Sequence, residues 1–253
     1  MIIKTEAELL GMRQVSEAVA HTLRQMRDYT EVGRSTKEID DYGKQLLLAY
    51  GAKSAPFETY GFPGFTCISV NGEFAHGIPS DQVKLKNGDI INIDVSAELN
   101  GFWADNGCSF IVGDDTQGLQ HLVDTSRSIL LDAIGQIRGG MLICDLGGRI
   151  EKGAKQAGYT VIRDLGGHGV GRSLHEEPDA IMNYYDRDDR KRRFRKDSVV
   201  AIETFISTVS TLTKTSADGW GFSGNKGGFV AQHEHTLLVT AGEPIILTVA
   251  NGI

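Results

Sequence analysis

Two aspartates eleven residues apart, Asp94 and Asp105, are the first residues of this chain that could act on chemistry together. In Ile90-Ile91-Asn92-Ile93-Asp94-Val95-Ser96, apolar Ile91, Ile93 and Val95 alternate with Asn92, Asp94 and Ser96, the period of a half-buried strand. Asn100-Gly101 predicts a two-residue hairpin turn, and Phe102-Trp103-Ala104-Asp105 begins the return strand. That turn sets Asp105 opposite Ser96. Asp94 shares the face, so the two carboxylates are diagonal neighbours with a Cβ separation of roughly 7 Å or less. Acids this close repel unless a cation sits between them, and a hard divalent metal is the obvious one. Glu203 interrupts the apolar run Val199–Ile206, where an unpaired charge would be costly. Glu234 shares a strand face with Gln232 and Thr236. Three histidines stand in glycine- or proline-bearing segments: His76 in Ala75-His76-Gly77-Ile78-Pro79, His168 in Gly166-Gly167-His168-Gly169-Val170-Gly171, and His175 before Glu176-Glu177-Pro178. The glycines around His168 are expected to allow a tight turn that aims the imidazole. The run around His168 is not GxGxxG and no GK[ST] accompanies it, which argues against a phosphate loop, and without HExxH or GxSxG neither a zincin nor an α/β-hydrolase is indicated. Each group alone has a structural reading: solvated aspartates, an ion-paired glutamate, a hydrogen-bonded histidine. Four carboxylates and an imidazole together suit two divalent ions about 3.5–4 Å apart.

The elements that must position these groups follow a repeating pattern. Thr5-x-x-Glu8 and Ser35-x-x-Glu38 are capping boxes, each opening a predicted helix with an apolar stripe: Leu9, Met12, Val15, Val19, Leu23 and Met26, then Ile39, Tyr42, Leu46 and Ala49. Gly51 ends the second. Strands are predicted at Cys67–Val70, Asp89–Val95 and Phe102–Val112. A long helix over 119–138 and another between Gly140 and Gly158 follow, then strands at Thr160–Asp164, Val199–Ser207 and Phe229–Val239. Gly33 and Gly51 lie 18 residues apart, as do Gly140 and Gly158, which suggests an α+β fold of two similar halves offset by about 107 residues.

The chain has 253 residues, 40% hydrophobic and 23% charged, which excludes wholesale disorder. The 31 glycines predict tight turns and close backbone approaches. A net charge of −7 argues against duplex DNA binding. Cys67, Cys108 and Cys144 are odd in number and lack a CxxC pairing, as in a reducing compartment. No signal peptide and no membrane span are expected, and the reading is a soluble cytoplasmic protein. Residues 186–197, with seven basic and four acidic side chains, read as a solvated loop or a small patch for ribosomal RNA.

Taken in order, His76-Gly-Ile-Pro, Asn92-Ile-Asp94 with Asp105, Gly167-His168-Gly-Val-Gly-x-x-x-His175-Glu-x-Pro, Ala201-Ile-Glu203 and Gln232-x-Glu234-His235-Thr resemble the motif set of bacterial type I methionine aminopeptidases. The likeness covers nearly the whole chain. It implies the pita-bread fold, two pseudo-symmetric halves around a dinuclear metal site, in one catalytic domain over 1–253. It also implies roles. Asp94 would hold one metal, Asp105 and Glu234 would bridge both, and His168 with Glu203 would hold the other, with Glu203 as proton shuttle. A metal-bridging water or hydroxide would attack the first peptide carbonyl. His76 would stabilise the departing nitrogen and His175 the carbonyl oxygen as it becomes an oxyanion. Phe62, Cys67 and Trp220 would line a slot for the methionine thioether. The implied cofactors are two divalent ions, Co, Mn, Fe or Zn. The implied substrates are nascent peptides with N-terminal Met and a small second residue. A monomer that meets the ribosome transiently is expected, with no DNA or membrane partner.

The chain departs from that pattern at two points. Thr204 follows the shuttle glutamate where the family usually has Pro, which would loosen the local geometry. Tyr60 stands where some bacterial relatives carry His. Two other readings compete. A prolidase or Xaa-Pro aminopeptidase would use the same fold but carry a large extra N-terminal domain. A catalytically dead binding module would have lost ligands, whereas all five are present here. Because Ile2 is bulky, such an enzyme is expected to keep its own Met1.

Overall fold

The computed structural model describes residues 1–253. Helix α1 (Glu6–Tyr29) opens at the expected capping box: the Glu8 amide donates to the Thr5 hydroxyl and the Thr5 amide to the Glu8 carboxylate. Helix α2 (Thr36–Ala49) opens in the same way at Ser35 and Glu38, and Gly51 turns the chain at φ 72°. Next come β1 (Lys53–Ser54), the short helix α3 (Ala55–Tyr60), β2 (Cys67–Val70), β3 (Glu73–Ala75), β4 (Ile90–Leu99) and β5 (Phe102–Ile111). The second half repeats the plan with α4 (Gln120–Gln136), α5 (Ile143–Gln156), β6 (Thr160–Val161), β7 (Gly166–Gly169), β8 (Glu176–Met182) and β9 (Val199–Ser207). It ends with β10 (Thr213–Thr215), β11 (Phe222–Gly224), β12 (Val230–Leu238), β13 (Ile245–Ile246) and a 3-10 turn at Val249–Asn251. Helices α2 and α5 are both 14 residues long and are offset by the expected 107.

Ten strands form one antiparallel sheet in the order β1-β4-β5-β12-β9-β7-β8, with β2 also on β4, β6 on β9 and β13 on β12. The hairpin register is the expected one, Ser96 opposite Asp105, with Asn100 and Gly101 in the left-handed region at φ 53° and 79°. Each half packs its helix pair on its own strands. One core joins Met12, Val19, Leu23 and Ile39 to Ile91, Ile93 and Val95. The other joins Leu122, Leu130, Leu146 and Ile150 to Ile202, Ile206 and Leu237. Strand alternation turns the intervening polar residues, Asp94 and Glu203 among them, to the opposite face of the sheet. No helix is long and apolar enough to cross a membrane.

Two local expectations are corrected. Gly166–Gly169 is strand β7, wedged between β8 and β9, not a tight turn. A Cβ on Gly166 would lie 2.3 Å from the Ile181 carbonyl oxygen, and one on Gly167 equally close to that of Ala201. These glycines permit close strand approach. The strand predicted over Thr160–Asp164 is only two residues long.

Candidate metal centre and its pocket

The polar face of the sheet opens into one cavity lined by Pro56, Tyr60, Phe62, Cys67, His76, Asp94, Ser96, Asp105, His168, Leu174, His175, Glu203, Trp220 and Glu234. All ten site residues proposed from the sequence are among them. Asp94 and Asp105 come from the β4–β5 hairpin. Glu203 on β9 lies directly opposite Glu234 on β12, and His168 on β7 is paired in register with Ala201. Single ligand atoms of Asp105, His168 and Glu234 fall within 4.8 Å of one another, and Asp94 and Glu203 flank that group.

Asp105 and Glu234 are buried and Asp94 and Glu203 half-buried, with no lysine or arginine ion-paired to any of the four. Burial, then the charges of Asp105 and Glu203, push the Asp94 carboxyl well above its ordinary range. Asp105 rises to about 6, chiefly by burial, against the lowering hydrogen bonds of Asp94 and the Asn106 amide. Burial and Asp105 raise Glu203 to about 8, and burial with its three acidic neighbours pushes Glu234 well up. The Gln232 amide donates to both Glu203 and Glu234, at 3.3 and 3.1 Å, while its own oxygen accepts from Asn92 at 2.8 Å. The Thr236 hydroxyl accepts from the Asp105 amide and donates to the Asp105 carbonyl, fixing that residue from β12. Gln232 and Thr236 are thus supporting residues of the site.

Two buried carboxylate oxygens, Asp105 Oδ1 and Glu234 Oε1, have no hydrogen-bond partner. Leaving a buried acceptor unpaired costs about 1–3 kcal/mol. These are the two residues expected to bridge a metal pair, so the orphaned oxygens fit that role. His168 completes the donor set. Its Nδ1 lies 3.0 Å from the Gly169 carbonyl, to which it donates, and this leaves the Nε2 lone pair 3.8 Å from Asp105. Burial, then His175, lower His168 to about 3, so the imidazole is neutral and its contact with Asp105 is not an ion pair.

His76 sits at φ 53°, a left-handed conformation uncommon for a residue with a Cβ and characteristic of functional sites. Burial, then His175, hold it down to about 4, as a neutral imidazole. The His175 ring lies 4.0 Å from that of His168. Phe62 is buried and meets Trp220 edge-on at 5.2 Å. Cys67, opposite Asp94 in the β2–β4 register, keeps its proton because burial and the nearby acids push the thiol well up. Pro56 and Leu174 complete the apolar lining. Pro56 lies in no catalytic motif and Leu174 at an unspecified position of the His168–His175 motif, so no sequence signal marked them.

The two departures take defined places. Thr204 does not loosen β9, whose register with β12 is unbroken. Its hydroxyl lies 3.1 Å from that of Ser126 on α4, which also meets buried His233. Tyr60 stands at the pocket mouth beside His175. Residues 186–197 are only partly solvated: Phe194 is buried in the second core, and Arg192 pairs with Asp179 and Asp189.

Comparison with known proteins matches residues 11–241 to metallopeptidase family M24. Methionine aminopeptidase 2 of Bacillus subtilis (strain 168) is 44% identical over 98% of this chain and 99% of its own length. The solved methionine aminopeptidase of Thermotoga maritima superposes with a TM-score of 0.91 at 34% identity, covering 98% of this chain and 99% of that one. The prolidase of Pyrococcus furiosus shares the fold at TM-score 0.77 and 23% identity, but this chain covers 65% of it. The fold these solved structures share is the pita-bread fold.

Proposed function

We infer, because this chain belongs to metallopeptidase family M24 and within it to the methionine aminopeptidases, that it removes the initiator methionine from nascent polypeptides whose second residue is small. The supporting observation is the convergence of four carboxylates and a neutral imidazole on one pocket, two buried carboxylate oxygens being unpartnered. Asp94 would hold one divalent ion, His168 and Glu203 the other, and Asp105 and Glu234 both. When bound, the ions supply an activated water nucleophile and polarise the scissile carbonyl. Co, Mn, Fe and Zn all suit this mixed oxygen and nitrogen donor set.

The protein's own groups supply the rest. Phe62, Cys67 and Trp220 take the methionine side chain, a polarizable thioether against aromatic and sulfur walls. Glu203, ionised once it is a metal ligand, would accept the proton of the attacking water and pass it to the leaving amine. Neutral His76 donates to the departing nitrogen, and His175 to the carbonyl oxygen as charge develops there. Residues 1–253 act as one catalytic domain. The protein works as a cytoplasmic monomer, with the basic side chains of 186–197 touching ribosomal RNA transiently and no role for DNA or membrane.

Metal analysis of protein purified without oxygen, followed by hydrolysis of a peptide panel under one metal, tests this reading. Met-Ala-Ser should be cleaved fast and Met-Leu-Ser little. Ala-Ala-Ser should be slower by about 30- to 150-fold in kcat/KM, the worth of the lost apolar contacts. Equal rates for Met and Ala at the first position would refute the pocket. Strict dependence on Pro at the second position would favour a prolidase.

A further inference from the structure

Tyr60 and His175 are 115 residues apart in sequence, and the Tyr60 hydroxyl lies 2.6 Å from His175 Nδ1. Tyr60 is the last residue of α3, and Gly61, at φ 66°, turns the chain back so that Phe62 enters the pocket. The two rings lie 5.9 Å apart, so the contact spans the mouth between α3, from the first half, and the 171–175 segment, from the second. Both side chains line the cavity. A phenol is the better donor of the two groups, and the bare nitrogen of a neutral imidazole is a better acceptor than a phenol oxygen, so the favoured arrangement is O–H···Nδ1. With Nδ1 accepting, the ring proton resides on Nε2. That is the nitrogen left to donate to a substrate.

We propose that Tyr60 is a positioning residue: its hydroxyl holds His175 in the Nε2–H tautomer and in the orientation from which it donates to the developing oxyanion. This rests on the reading of His175 as an oxyanion donor. Tyr60 is half exposed, so water competes for the bond and the effect is modest.

The test uses the full metal-loaded chain. Tyr60→Phe keeps the aromatic wall and removes the bond. It should lower kcat by about 3- to 10-fold, the worth of one hydrogen bond, with KM and metal content unchanged. Tyr60→His, which restores a ring N–H, should recover part of the loss. In the His175→Ala background, Tyr60→Phe should cost nothing more. Nitrogen NMR of the zinc-loaded protein should show His175 as the Nε2–H tautomer, and a mixture of tautomers in Tyr60→Phe. The proposal is overturned if Tyr60→Phe keeps wild-type kcat, if it changes KM alone, or if wild-type His175 carries its proton on Nδ1. An active His175→Ala enzyme is a different failure, since it refutes the oxyanion role of His175 itself and the proposal with it.

Discussion

Asp94 is the fifth residue of β4 and Glu203 the fifth of β9, and each half buries its own helix pair behind these strands. The halves differ in how the second acid arrives. In the first, Asn100-Gly101 alone joins β4 to β5, so Asp105 is fixed against Asp94 by a tight hairpin. In the second, residues 208–229 intervene between Glu203 and Glu234, carrying β10, β11 and Trp220. That connection returns to the first half: β11 pairs with β3, and Trp220 meets Phe62. One half therefore supplies a rigid acid pair. The other supplies an equivalent pair, held by the Gln232 amide, and adds Trp220 to the wall of the pocket. The two halves place the acids symmetrically, while the longer connection in one half adds a pocket wall on one side only.

The largest expected effect tests whether the two acids proposed to bridge, Asp105 and Glu234, are equivalent. Asp105→Ala and Glu234→Ala should each abolish peptide hydrolysis and weaken metal binding to a similar degree if, as proposed, each supplies oxygens shared by both ions. If either variant keeps more than about a tenth of wild-type activity, a barrier change under 1.4 kcal/mol, its bridging role is wrong. If only one of the two is impaired, the symmetry at the site is broken even though the fold keeps it.

Much of this was legible in the sequence where the rules are local. Strand alternation and the Asn100-Gly101 turn give the hairpin and its register without any tertiary information, and the 107-residue offset is recovered in α2 and α5. Less was legible where a partner distant in sequence decides the structure. Gly166-Gly167-His168-Gly169 carries turn-forming residues, yet it is a strand, because the carbonyls of Ile181 and Ala201 crowd the positions a side chain would take. Leu174 and Pro56 line the pocket only because two chain segments far apart meet there. The missing N-cap signal of the second half has a local reason. The residue 107 after Ser35 is Leu142, whose side chain has no acceptor and caps α5 with no hydrogen bond, although both residues form an isolated β-bridge, Ser35 with Lys84 and Leu142 with Arg193.

A smaller effect concerns the charge that the two acid pairs hold between them. In the metal-free protein, burial and mutual repulsion raise Glu203 to about 8 and push Asp94 and Glu234 well up. A carboxyl whose pKa is higher folded than unfolded binds its proton better when folded. Its favourable contribution is therefore full at low pH and lost as pH rises toward the folded value. The buried histidines run the other way: His76 at about 4 and His168 at about 3 weaken the fold only as pH falls below their ordinary 6.5. Between pH 6.5 and 8 only the carboxylates act. The metal-stripped protein should lose thermal stability across that window, and the loaded protein should resist, so the gap in Tm widens with pH. A gap that narrows would mean that the acids are not the groups whose charge the metal balances.

The smallest effect sharpens the comparison of the halves as folding units. Ser35 is buried at the start of α2; its hydroxyl accepts from the Glu38 amide, and the Glu38 carboxylate accepts from the Ser35 amide and hydroxyl. Ser35→Ala removes a cap that α5 never had. Its cost should be about 1 kcal/mol, the usual worth of an N-cap side chain. For a chain of this length that is a drop of about 2–4 °C in Tm. Ser35 lies outside the pocket, so kcat per folded molecule should not change. The informative readout is the shape of the transition. The halves share one sheet through β5 and β12, so the loss of a cap in the first should move the whole unfolding curve without splitting it. A separate low-temperature step in Ser35→Ala would instead show that each helix pair and its strands melt as an independent unit, joined by the sheet but not made cooperative by it.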